Sequence, residues 1–173
     1  MGLTPTPSQT VGPFFSIGMR TADVMGEPGV ERLSIRGRVL DGDGNGIDDA
    51  LIETWQAGSD GRYADSSSRG WGRAATDSSG RFQFSTTKPG RVDGASAKLQ
   101  APHLAVTIFA RGLLKHLVTR IYFEDETSNA NDPVLGAVPA NRRSTLIARS
   151  VGSNEFEWNV VLQGENETVF FEY

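Results

Sequence analysis

His103 opens an apolar, β-branched run, Leu104 to Phe109, that reads as a buried strand. Side chains alternate between the two faces of a strand, so His103, Ala105 and Thr107 share one face. A His-x-His pair at this spacing would set two imidazoles side by side, a natural chelate for a transition metal. Position 105 is alanine, so half of that chelate is missing. The pattern predicts a chain built on a metalloenzyme plan that no longer holds the metal.

Other short patterns invite chemistry and do not support it. Asp41-Gly42-Asp43-Gly44-Asn45-Gly46 has the opening of a calcium-binding loop. Such a loop needs a bidentate glutamate at its twelfth position and helices on both sides. Ile52 stands at that position, Glu53 comes one residue late, and the flanking segments read as strands. The segment is a Gly/Asp turn. His116, beside Lys115, reads as a surface residue and not a ligand. Met1-Gly2-Leu3-Thr4-Pro5-Thr6 matches the myristoylation formula without a polybasic second signal, and Asn166-Glu167-Thr168 matches a glycosylation sequon that matters only in a secreted chain.

The elements that must position these residues come from a chain of 173 residues, enough for one domain that buries roughly 70% of its unfolded surface. With no cysteine, disulfides and thiolate metal sites are excluded, which fits a reducing cytoplasm. Seventeen basic against twenty-one acidic residues give a net charge of −4. No basic run stands out, which argues against nucleic acid as a partner. No apolar run is long enough to cross a bilayer, and the N-terminus carries no secretion signal.

Residues 1–17 hold Pro5, Pro7 and Pro13, and proline fixes φ and removes amide donors, so an extended N-terminal arm is expected there. Phe14, Phe15 and Ile17 at its end predict that it lies against its own domain or a partner. Strands are expected at Leu33–Leu40, Leu51–Gln56 and, after Leu104–Phe109, at Leu117–Phe123. Arg73–Thr76 and Arg81–Thr86, joined by Asp77-Ser78-Ser79-Gly80, read as a hairpin. Residues 91–99 read as a loop. Pro139–Ile147 is the best helix candidate, with proline in its first turn. A further strand carries Phe156, Trp158, Val160 and Leu162, and Val169-Phe170-Phe171 is expected to close the sheet. The whole predicts an all-β fold: a single β-sandwich domain over 1–173, mostly antiparallel, with long loops and one or two short helices.

Several blocks together point to a family: Thr6-Pro7-Ser8-Gln9-Thr10-Val11-Gly12-Pro13-Phe14, Glu53-Thr54-Trp55-Gln56-Ala57, Gly61-Arg62-Tyr63, Thr87-Lys88-Pro89-Gly90, Ala101-Pro102-His103, Arg120-Ile121-Tyr122-Phe123, and Gly164 through Phe171. In this order they resemble the intradiol ring-cleaving dioxygenases, over nearly the whole chain. The resemblance implies a catalytic subunit that binds non-haem ferric iron through two tyrosines and two histidines. Those positions fall here on Tyr63, Val92, His103 and Ala105. The arginine that helps stabilise the reacting catechol falls on Gln100. One tyrosine and one histidine are too few for a dedicated ferric site, so Tyr63 and His103 are expected to be structural.

What the resemblance then implies is a companion α chain without a metal of its own. Its homologous β subunit binds the ferric iron, and αβ pairs build a larger oligomer. The expected reaction is cleavage of protocatechuate by O2 between its hydroxyls, giving 3-carboxy-cis,cis-muconate in the β-ketoadipate pathway. Thr10, Gly12, Pro13 and Phe14 of the arm would line part of the substrate cavity. Arg111 would face the substrate carboxylate, which a guanidinium can favour by charge or hydrogen bonding. Arg142 and Arg143 read as a solvated face or an interface pair. Two other readings stay open: a self-sufficient catechol dioxygenase, and a non-enzymatic, transthyretin-like binding module.

Overall fold

The computed structural model describes residues 4–19, 22–23, 27, 29–63, 70–94 and 98–172. The strands are β1 (Arg32–Leu40), β2 (Leu51–Gln56), β3 (Trp71–Ala75), β4 (Arg81–Thr87), β5 (Val92–Asp93), β6 (Leu99–Gln100), β7 (His103–Phe109), β8 (Leu117–Phe123), β9 (Ile147–Gly152), β10 (Glu155–Glu157) and β11 (Val160–Val161). One short helix, α1 (Pro133–Ala137), and two 3-10 turns, Thr127–Asn131 and Arg143–Leu146, complete the regular structure among the described residues. The main sheet runs β4-β1-β10-β9-β8-β7-β2-β3, with β11 alongside β1. Its two edge strands, β3 and β4, are consecutive in the chain, so the sheet nearly closes on itself. Most pairings are antiparallel; β1 with β10 and β11, and β8 with β9, are parallel.

Alternation explains why these segments are strands. On β1, Leu33, Ile35 and Val39 are buried, and on β7 Leu104, Val106 and Ile108 are buried. With Phe82, Phe84, Ile121, Phe123, Phe156 and Trp158 they form one core cluster inside the curled sheet. The outer face of β8 carries a smaller cluster, in which Tyr122 packs with Leu135, Val138 and Leu146. Gly37 has no alternative here, because a Cβ on it would stand 1.7 Å from the carbonyl oxygen of Trp158.

Several expectations are corrected. The Asp77–Gly80 turn does form, with Gly80 at φ 73° and the Asp77 carboxylate accepting from the amides of Ser79 and Arg81. It does not make a hairpin. β3 pairs with β2, where Arg73 ion-pairs with Glu53 across the strands, while β4 pairs along its whole length with β1. The expected helix at 139–147 is only the 3-10 turn Arg143–Leu146, held by Arg143 donating to the carbonyls of Val138 and Gly136. The α-helix starts instead at Pro133, capped by Asp132, whose carboxylate accepts from the amides of Val134 and Leu135.

The last strands also differ. The 156–162 strand is broken at Trp158-Asn159, where the Asn159 side chain, and not a carbonyl, accepts from the Arg38 amide at 2.8 Å. Val169–Phe171 forms no strand; it is tied to β8 by Phe171 N–H to Val118 and by the Thr119 hydroxyl to Val169. Within 91–99, Val92–Asp93 pairs with Leu99–Gln100 as a two-residue ladder. Residues 4–12 of the arm have no regular structure, and residues 13–18 make successive turns through Phe15 N–H to Gly12 and Ile17 N–H to Phe14.

Candidate functional site

The first candidate region lies on the outer face of β7. Because Leu104 and Val106 turn inward, His103 and Ala105 face outward. Register places Ala105 between Trp55 of β2 and Arg120 of β8, and sets His103 opposite Tyr122. His103 is 4% exposed and donates from Nδ1 to the carbonyl of Ala101 at 2.8 Å. Its ring lies 5.6 Å from that of Tyr122. Burial, reinforced by the nearby Arg120 charge, pushes its pKa below the ordinary histidine value. The imidazole is therefore neutral and packed. Tyr63 is 43% exposed, and its ring stacks on Trp55 at 6.1 Å and 7°.

Arg120 is the hub of this region. Its Nη1 donates to Gln100 Oε1 at 2.6 Å and to the Tyr122 hydroxyl at 3.3 Å. The Tyr122 hydroxyl donates to Asp132 Oδ1 at 3.1 Å, and burial holds this phenol protonated well above its usual range. Asp132 also accepts from the Ala101 amide through Oδ2 at 2.7 Å, so one carboxylate ties α1 to the strand that carries His103. Val92, which is buried, and Ala105 offer no donor. Among the described residues no group of three or more His, Cys, Asp or Glu could hold a metal.

The second region is the turn after β7. Thr10 of the arm accepts from the Gly112 amide at 2.9 Å, which brings the arm to the residue next to Arg111. Arg111 Nε lies 2.6 Å from Asp49 Oδ2, and its Nη2 lies 3.4 Å from Asp48 Oδ1. Its side chain stays 47% exposed. Gly12 and Pro13 are exposed, a Cβ on Gly12 would meet nothing within 4 Å, and Phe14 is 74% exposed. Beside this turn a groove of about 960 Å³ runs between the arm, the β7–β8 loop and the C-terminal segment, walled by Val11, Phe109, Leu114 and Phe171. His116 also lines it, with its ring against Phe109.

Known proteins are similar to this chain over most of its length. A family model described as Dioxygenase matches residues 16–164. The chain is 39% identical to the protocatechuate 3,4-dioxygenase alpha chain of Burkholderia cepacia over 98% of each chain. It is 37% identical to the Pseudomonas putida alpha chain of the same name, over 99% of this chain and 98% of that one. The chain belongs to the intradiol ring-cleavage dioxygenase family.

A Burkholderia cepacia beta chain of that same enzyme is 33% identical over 93% of this chain and 77% of its own length. Those relatives therefore come as two homologous chains of one heteromeric enzyme. Among solved structures, the 3-chlorocatechol 1,2-dioxygenase of Rhodococcus opacus 1CP matches with a TM-score of 0.67 at 22% identity, covering 92% of this chain and 67% of that one. That likeness is one of fold.

Family membership implies iron in the enzyme, and the residues on which the sequence resemblance places its ligands do not fit the ion. Val92 and Ala105 carry no donor atom, the Nδ1 of His103 is committed to a carbonyl, and the Tyr63 ring lies flat on Trp55. Sequence reading brought forward Tyr63, His103, Gln100 and Arg111. It missed Arg120, Tyr122 and Asp132 as a linked set. The available signals were a charged residue inside the apolar run Leu117–Phe123 and the cap-then-proline pair Asp132-Pro133.

Proposed function

We propose that this chain is the iron-free α subunit of a heteromeric protocatechuate 3,4-dioxygenase, acting in a bacterial cytoplasm on the β-ketoadipate route. A homologous β subunit holds the ferric iron that supplies the redox chemistry. The assembled enzyme cleaves protocatechuate with O2 between its hydroxyls to 3-carboxy-cis,cis-muconate. The chain forms one domain, the two halves of the curled sheet packing as the layers of a sandwich, and αβ pairs assemble further. A permanent interface of this kind should exceed about 2,000 Å².

The observation that carries the reading is the hydrogen bond of Thr10 to Gly112, which holds the arm beside Arg111 at an exposed edge. Thr10, Gly12, Pro13 and Phe14 form the wall this chain offers to the partner's substrate cavity. Gly12 lets backbone approach the aromatic ring closely. Arg111 supplies the positive charge for the substrate carboxylate. Asp49 and Asp48 hold the Nε and Nη2 side of its guanidinium, leaving the Nη1 edge to meet the carboxylate.

Steady-state kinetics of Arg111→Ala in the assembled enzyme tests this. At a half-exposed site the lost interaction is about 1 kcal/mol, or roughly a fivefold rise in KM for protocatechuate. Uncharged catechol should show little change. An equal rise for both substrates would remove the electrostatic role of Arg111.

A further inference from the structure

Three of the four positions at which the family places metal ligands, 92, 103 and 105, lie on strands, and one side chain connects the residues paired with them. Ala105 and Arg120 are direct cross-strand partners on β7 and β8. Gln100, which accepts from Arg120, is the cross-strand partner of Val92. Tyr122, the second acceptor from Arg120, is the cross-strand partner of His103. The guanidinium thus binds the strand partners of two ligand positions, 92 and 103, and belongs to the strand partner of a third, 105. Tyr63, the fourth, lies on Trp55, the other neighbour of Ala105.

Replacing an imidazole by a methyl group at 105 frees volume on the outer face of β7, and close-packed proteins do not leave such volume empty. Arginine suits it, because its flat fork can satisfy two acceptors at once and it never gives up its charge. We propose that Arg120 is a resident cation standing in for the metal in this chain. It fills the ligand-poor position by volume, links Gln100 to Tyr122 and, through it, to Asp132, and repels a multivalent cation. Absence of donors is then only half of why this chain takes no iron. Restoring the donors alone will not restore the ion. The inference rests on the family reading of positions 63, 92, 103 and 105, and not on the roles given to the arm or Arg111.

Three variants, each prepared together with whatever companion chain the wild type requires, test this by iron bound per copy of this chain above the wild-type value. Val92→Tyr with Ala105→His should take up no additional iron. Adding Arg120→Gln, which keeps an amide donor and loses the charge, should give one additional ferric ion and a visible tyrosinate charge-transfer band. Adding Arg120→Lys instead should bind none. Additional iron while position 120 still carries a cation, or none in a folded Arg120→Gln variant, would overturn the proposal.

A melting cycle on the same preparations needs no added metal. Ala105→His should lower the melting midpoint markedly when Arg120 is present, since imidazole and guanidinium compete for one space, and much less when Arg120→Gln accompanies it. Equal drops in the two backgrounds would contradict the shared space and sink the proposal even if the multiple variants failed to fold. Failure of the iron test with success of the melting cycle would overturn the stand-in role of Arg120 and leave only its shared packing with position 105.

Discussion

At the scale of single residues, charge is placed with care on both candidate regions. Asp49 holds Arg111 from a left-handed backbone, φ 56°, a conformation rare outside glycine and tolerated by aspartate. His103 takes the opposite course, being buried and kept neutral by desolvation and by Arg120. Its folded pKa lies below its unfolded value near 6.5, so the unfolded chain binds the proton more readily. Stability from this group is therefore complete above about pH 6.5 and declines as the pH falls toward the lowered folded pKa. We expect the wild-type unfolding free energy to fall as the pH drops below about 6.5, by at most about 1.4 kcal/mol per pH unit from His103. His103→Gln should flatten that component, and an unchanged slope in the variant would contradict it. Much of this scale was legible in the sequence, because residue type alone shows that positions 92 and 105 have no donor. What replaced the donors was not legible, since Arg120 meets Gln100, twenty residues away and on a different strand, only once the chain has folded.

At the scale of elements, local pattern located strands better than it paired them. β2 was expected and found at Leu51–Gln56, and β7 follows its alternation of buried aliphatic residues. The 77–80 turn was read correctly as a turn, yet it joins opposite edges of the curled sheet. Turn chemistry reports where the chain bends and carries no information on which strand each arm will pair with. The helix was misplaced because the Asp132-Pro133 start signal lies outside any amphipathic run, while the charged 139–147 segment is closed by arginine–carbonyl bonds instead of helical ones. The break at Trp158-Asn159 depends on the missing side chain of Gly37. Gly37→Ala should push β1 away from the Trp158 carbonyl and destabilise the chain by at least about 3 kcal/mol. Denaturant unfolding checks this, and a loss under about 1 kcal/mol would mean that β1 and the Trp158 segment separate freely.

At the scale of the whole molecule, the chain keeps its aliphatic core inside the sheet and exposes several large apolar residues outside it. Phe14, Ile17 and Leu114 are 74%, 78% and 68% exposed, an arrangement suited to a permanent companion more than to water. On the proposed assignment these residues, the arm and Arg111 become part of a cavity whose iron lies in the homologous chain. The most direct test is protocatechuate cleavage by the iron-bearing homologous chain as this chain is added to it. The account predicts no cleavage by this chain alone, and activity that rises with its addition and saturates at one copy per iron-bearing chain. Ring cleavage by this chain alone, or a companion equally active without it, would contradict the account.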